Sequence, residues 1–354
     1  MIDNLPRFEP QPARPTRRHV TAGGLALLSG LFATGVEAAA PAQSFGHFLD
    51  ALWPEAHRHG ISRDTFDAAF RDVTPDPEVI AKTRKQSEFT KTTGQYLDSA
   101  VSEKRITTGT SRYNEWAPWL AKAEKRFGVD RYVILGVWGL ETNFGGFAGN
   151  DYVVRSLATL AYARYRGDYF RRELIAALAI LQAGHIDPAH MMGSWAGAMG
   201  QTQFMPTSFK SYAVDFDGDG RRDIWTSVPD AIGSTANYLH KRGWMADETW
   251  GYEALLPSGF SATQGSHRTF STWAADGVTR ADGGDMPRSG TGTLLMPEGR
   301  SGPAFLVTPN FRVIKTYNNS TSYALGVSLL GDRIAGWGPL KAQWPSTGKK
   351  FARD

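Results

Sequence analysis

The sequence predicts a mainly α-helical protein of the α+β kind. Apolar residues recur at helical spacing through most of its length, while a Gly/Ser/Thr-rich stretch with scattered aromatics, from about Ser258 to Gly302, fits short strands and loops. There is no cysteine, so core packing rather than cross-linking must hold the fold. The 354 residues are enough for about two domains on a guide of ~150 each and for a substantial core.

The first segment is a leader. Thr16-Arg17-Arg18-His19-Val20-Thr21 is a positive n-region, Ala22 to Val36 is apolar, and Val36-Glu37-Ala38-Ala39-Ala40 offers small residues for cleavage. Residues 1–40 therefore read as a bacterial export signal, with a retained basic N-terminus as the alternative. The apolar part is shorter than the ~20 residues needed to span a bilayer. The arginine pair and the weakly apolar, glycine-containing core favour the twin-arginine route, although Val20 and Thr21 depart from the usual bulky apolar pair. No cysteine follows to carry a lipid anchor. The expected product is soluble and periplasmic.

Phe45, Phe48, Leu49 and Leu52, then Ile61, Phe66, Ala69 and Phe70, mark two helical runs, and Thr74-Pro75-Asp76-Pro77 breaks the pattern. A polar, helix-compatible run from Glu88 to Arg105 precedes an expected turn at Gly109. The helical period returns between Trp116 and Leu140, interrupted at Phe127-Gly128-Val129-Asp130, where Gly128 suits a helix stop and Asp130 the next cap. Arg171 to Gln182 and Pro229 to Arg242 are helical, the latter with proline in its first turn. Tyr323 to Ile334 is one more amphipathic helix, and Lys341 to Asp354 is a polar basic tail expected to fray.

Composition narrows the functional classes. Lys+Arg 39 against Asp+Glu 35 leaves +4, spread along the chain without a basic stripe, which argues against nucleic-acid binding. The lack of cysteine excludes thiol nucleophiles, iron–sulfur clusters and Cys-ligated zinc. The 11 Trp, 12 Tyr and 38 Gly suit sugar recognition, which uses flat apolar faces and close backbone approach. A plain aromatic core would give the same count.

One carboxylate stands out. In a helix over Val133 to Gly145, Ile134, Val137, Trp138 and Phe144 share a face with Glu141, at offsets of seven, four and three. Desolvation there raises a carboxyl pKa, and a protonated acid at neutral pH is what general acid catalysis needs. A solvent-facing glutamate or one paired with a buried arginine is the bland alternative. The glycines at 136, 139, 145 and 146 favour the functional reading, because they would thin the wall and admit a bulky ligand.

Three further clusters follow. Gly193 to Pro206 alternates small residues with neutral hydrogen-bonding and aromatic side chains, suited to an uncharged polar ligand or to a loop packed beneath a helix. Tyr317-Asn318-Asn319-Ser320-Thr321-Ser322-Tyr323 places amides between tyrosines ahead of a helix, part of which capping explains. Asp215, Asp217, Asp219 and Asp223 occupy positions one, three, five and nine of an EF-hand-like loop, with Gly220 at six and Arg221 at seven. Position twelve is Thr226 rather than glutamate. The loop is either extended, with Asp230 as a late ligand, or simply an Asp/Gly turn.

Taken in order, "GVWGLETNFG", "GSWAGAMGQTQFMPTSF", "DFDGDGRRDIW", "DAIGSTANYL" and "TYNNSTSYALGV" resemble the membrane-bound lytic transglycosylase B family of peptidoglycan-cleaving enzymes, from about Phe45 to Gly336. The resemblance implies a lysozyme-like helical core (116–256, with the EF-hand-like loop), an extra helical region (41–115), a small β-rich insertion (257–302) and a C-terminal segment returning to the cleft (303–340). It makes Glu141 the catalytic acid/base, and Ser194, Gln203, Tyr96, Tyr238, Tyr317, Asn318 and Tyr323 sugar contacts. The metal set it implies is Asp215, Asp217, Asp219, Arg221 and Asp230, with one residue more between Trp225 and Asp230 than the family pattern has. The implied partners are peptidoglycan glycan strands, with cell-wall synthesis or division proteins left open. A monomer without lipid anchor is expected, with no cofactor for catalysis and calcium only as a structural ion.

The expected reaction uses one carboxylate. The acetamido oxygen assists at the anomeric carbon while Glu141 protonates the oxygen between N-acetylmuramic acid and N-acetylglucosamine. Glu141 then takes a proton from the muramoyl C6 hydroxyl, which closes on C1 as a 1,6-anhydro end. The competing readings are a lysozyme-type hydrolase, with Asp151 or Glu173 holding a water opposite Glu141, and a non-catalytic peptidoglycan-binding protein.

Overall fold

The computed structural model describes residues 44–85 and 91–345. The export signal, the start of the run expected from Glu88 and the tail from 346 lie outside them. The fold is helical with a small curled sheet, as the sequence predicted.

Helices α1 (Phe45–Arg58) and α2 (Arg63–Phe70) start on Ser44 and Ser62, whose hydroxyls accept the His47 and Thr65 N–H groups. Pro77 opens a helix, α3 (Pro77–Lys85), because a proline in the first turn removes an N–H that would have no helical partner. A capping box of Thr92 and Gln95 starts α4 (Thr93–Ala100). Helix α5 (Glu103–Phe127) runs straight through Gly109, where the sequence suggested a turn. A Cβ at 109 would sit 2.3 Å from Ile334 Cδ1 and 2.7 Å from Phe144 Cζ, so this glycine serves close packing. As expected, α5 stops at Gly128 (φ 71°), and Asp130 caps α6 (Arg131–Thr142) by accepting the Tyr132 N–H at 2.7 Å.

A two-strand ladder, β1 (Asp151–Tyr152) with β2 (Met192–Gly193), brackets α7 (Val153–Tyr162) and α8 (Tyr169–Gln182). Helices α9 (Pro206–Tyr212) and α10 (Val228–Lys241) flank the aspartate-rich loop. An antiparallel sheet follows, built from β3 (Gly251–Leu255), β4 (His267–Thr269), β5 (Thr279–Arg280), β6 (Thr291–Leu295) and β7 (Ala304–Val307) in the order β4-β6-β7-β3-β5. It carries its own small core of Phe270, Trp273, Leu294 and Leu306 around α11 (Phe270–Ala275). Strands β3 and β7 pair with each other from outside the 257–302 stretch, so the β-rich unit is wider than composition suggested. Helices α12 (Pro309–Tyr317) and α13 (Thr321–Ile334) return to the main core.

The centre of the molecule is the antiparallel pair α6 and α13. A Cβ on Gly136 would lie 2.2 Å from the Val327 carbonyl oxygen, and one on Gly331 2.7 Å from that of Tyr132. Small residues let the two backbones touch, and this close approach decides where the end of α6 meets the start of α13.

Candidate active site

Glu141 lies in the last turn of α6, a helix buried nearly all round, and its own residue is 5% exposed. Burial raises its carboxyl from 4.5 to about 7, partly offset by a hydrogen bond that Tyr323 donates to Oε1 at 2.6 Å. Neither cause is a neighbouring charge. Tyr323 is placed by the first turn of α13, where Ser320 accepts its N–H. The chain leaves α6 through two consecutive left-handed residues, Asn143 (φ 52°) and Phe144 (φ 60°). Phe144 consequently folds back edge-on against Trp138, at 5.7 Å between ring centres, instead of continuing the face that carries Glu141.

The glycines have a different use from the one the sequence suggested. Gly136 and Gly139 meet Val327, Leu330 and Phe144, and Gly145 meets the Gln201 side chain. They admit neighbouring protein rather than ligand. The space beside the acid is bounded by tyrosines instead: burial raises Tyr96, Tyr317, Tyr238 and Tyr323, and the charge of Glu141 raises each further. Besides Tyr323, whose hydroxyl is given to Glu141, two of them have hydroxyls committed to backbone carbonyls. Tyr317 donates to the Thr202 carbonyl at 2.6 Å and Tyr238 to that of Thr316 at 2.5 Å, with their rings 4.7 Å apart and both against Phe204. What they can offer a ligand is ring surface. Half-buried Asn318 accepts the Ser320 N–H and shapes the bend into α13.

The loop after β2 lies against the segment that follows α6. Ser194 Oγ accepts the Ala198 N–H at 3.1 Å, and Gln203, in a left-handed conformation (φ 51°), donates to the carbonyls of Ala148 and Gly200 at 2.9 and 3.0 Å. Both side chains remain half-buried. Sequence reasoning missed Gln201. Its amide accepts the Trp138 indole N–H at 3.0 Å and donates to the Trp225 carbonyl at 3.2 Å, while its own carbonyl accepts the Thr142 hydroxyl at 3.1 Å. This one residue locks the acid-bearing helix to the loop and to the aspartate-rich segment. Two neutral glutamines in one small-residue run look alike in sequence, so only the fold separates them.

Neither carboxylate suggested for a hydrolase is free. Buried Glu173 accepts the Thr207 N–H and hydroxyl at 2.9 and 2.7 Å, capping α9. Asp151 sits in the β1 ladder with Lys82 3.8 Å away.

In the aspartate-rich loop, ligand atoms of Asp215, Asp217 and Asp230 lie within 4.8 Å of one another. Asp230 enters from the first turn of α10, fully buried, and accepts the N–H groups of Phe216, Asp217 and Asp223. Asp219 does not join this cluster. Its carboxylate turns to the exposed Arg221 guanidinium two residues on, at 3.1 Å. Arg221 could contribute only its backbone carbonyl.

The sequence model of the transglycosylase SLT domain matches residues 44–332, most of the chain. The chain belongs to the lytic murein transglycosylase B family. It is 36% identical over 250 residues to the membrane-bound lytic murein transglycosylase B of Escherichia coli (strain K12), covering 68% of this chain and 67% of that protein. Its fold is similar to Pseudomonas aeruginosa SltB3 in complex with NAG-anhNAM-pentapeptide, with 45% identity, a TM-score of 0.83, and 86% of this chain and 83% of that one covered. Escherichia coli Slt35 in complex with calcium is similar at 30% identity and a TM-score of 0.69, over 82% and 92% of the two chains. The protein is thus an enzyme of the lytic transglycosylase kind.

Proposed function

We propose that the chain cleaves the β-1,4 bond between N-acetylmuramic acid and N-acetylglucosamine in peptidoglycan strands and leaves a 1,6-anhydro end. The observation that carries this reading is Glu141, buried, raised to about 7 and, among the described residues, hydrogen-bonded only to the Tyr323 hydroxyl. A carboxyl poised near neutral pH can be both the acid of the first step and the base of the second. Protonated, it gives its proton to the glycosidic oxygen as the acetamido oxygen closes on C1. As carboxylate, still held by Tyr323, it removes the C6 hydroxyl proton, and that oxygen displaces the acetamido oxygen at C1. No water enters the product. Ser194, Gln203, Tyr96, Tyr317, Asn318 and the ring of Tyr238 are the proposed walls for the sugars. Mass spectrometry of digested sacculi tests the reading: products lighter by one water than lysozyme products are expected, none from Glu141→Gln. Hydrated reducing ends would assign a hydrolase.

The donor set of Asp215, Asp217 and Asp230, with Asp219 and the Arg221 carbonyl from the same loop, is all oxygen and fits calcium. In this position the ion would tie the start of α10 to the loop without meeting the reaction. Action in the periplasm after twin-arginine export, as a monomer on glycan strands, completes the proposal; among the described residues no helix is long and apolar enough to cross a membrane.

A further inference from the structure

Phe147 is a large apolar side chain 58% exposed, six residues beyond the acid, and nothing in the packing of the fold accounts for it. The backbone that carries it is firmly held. Asn143, Phe144, Gly145 and Gly149 all have positive φ, two of them without the freedom of glycine, a conformation that costs energy and persists only where the surroundings impose it. Those surroundings are visible. The Phe147 N–H donates to the Thr142 carbonyl at 3.0 Å, the Gly145 N–H to the Thr142 hydroxyl at 3.0 Å, and Gln203 holds the next carbonyl, of Ala148, at 2.9 Å. On the far side, Gly149 packs so closely on the Gly193–Ser194 peptide that a Cβ would lie 2.1 Å from the Gly193 oxygen. The segment bearing Phe147 is therefore clamped between the helix end that holds Glu141 and the loop that holds Ser194 and Gln203.

We propose that Phe147 is a stacking platform for the glycan strand, taking the apolar face of a sugar beside the scissile bond. A pyranose presents axial C–H groups on one face, and a flat ring covers them while leaving the hydroxyls to water. Because the backbone is already fixed, little conformational freedom is lost when the sugar arrives. Phe147 touches no reacting atom, so its contribution falls on binding. The inference rests on the reading that this cleft takes a glycan strand.

The test compares Phe147→Ala, Phe147→Leu and Phe147→Trp with wild type on purified glycan strands. Losing the stacked face should raise KM about tenfold in the alanine variant with little change in kcat, a size typical of one such contact. Leucine, apolar but not flat, should also be impaired, and tryptophan should restore wild-type KM. Melting temperatures should be equal, since the side chain is exposed. An unchanged KM in Phe147→Ala, or full function in Phe147→Leu, would overturn the platform. If wild type itself releases only hydrated ends, the reaction assigned above fails instead, and the KM comparison still judges Phe147.

Discussion

Replacing Glu141 by glutamine should make the protein more stable at alkaline pH, and the gain should vanish in acid. In the folded state the carboxyl ionises near 7 rather than 4.5, because burial opposes the charge more than the Tyr323 hydroxyl supports it. The folded state consequently holds a proton that the unfolded chain releases between those values, so folding stability falls as pH rises from about 4.5 to about 7. At 1.36 kcal/mol for each pKa step, the loss by pH 8 is about 3 kcal/mol. Glutamine has the same shape, can still accept the Tyr323 hydrogen bond and does not titrate. The pH-dependent gain of Glu141→Gln over wild type should therefore be absent at pH 4, where both folded and unfolded wild type hold the proton, and should reach about 3 kcal/mol by pH 8. Urea unfolding at several pH values gives both curves. Parallel curves from pH 4 to pH 8 would mean that Glu141 ionises normally in the folded protein, and the argument for its acid role would fall with them.

Tyr323→Phe removes the hydrogen bond that favours the Glu141 carboxylate, so the pH at which activity declines on the alkaline side should move up from about 7; a pH–rate profile reads this, and a downward shift would contradict it. Gly136→Ala should cost on the order of 2 kcal/mol or more, seen as a lower melting temperature, since its Cβ would strike the Val327 carbonyl at 2.2 Å and force α6 from α13. Calcium should raise the melting temperature of wild type but not of Asp217→Ala, whereas Asp230→Ala should be unstable even in chelator because three backbone N–H groups lose their acceptor.

The sequence by itself determined what is local. The helical period, the Gly128 stop, the Asp130 cap, an acid on an apolar helix and the aspartate spacing each depend on neighbours within about a dozen residues, which the chain order exhibits directly. The family motifs extended this to the acid and to candidate sugar contacts. The tertiary structure decided everything set by close approach across the chain. It brought Tyr323 onto Glu141 over a separation of 182 residues, gave Gln201 its locking role, tied Glu173 to α9, and brought Asp230 but not Asp219 into the carboxylate cluster. It also reversed the meaning of the glycines: Gly109, Gly136 and Gly139 look like turns or openings in sequence, yet each marks where another side chain or backbone presses against a helix. A missing Cβ is the same symbol in both cases, and only the neighbour that fills its space, supplied by a distant part of the chain, tells them apart.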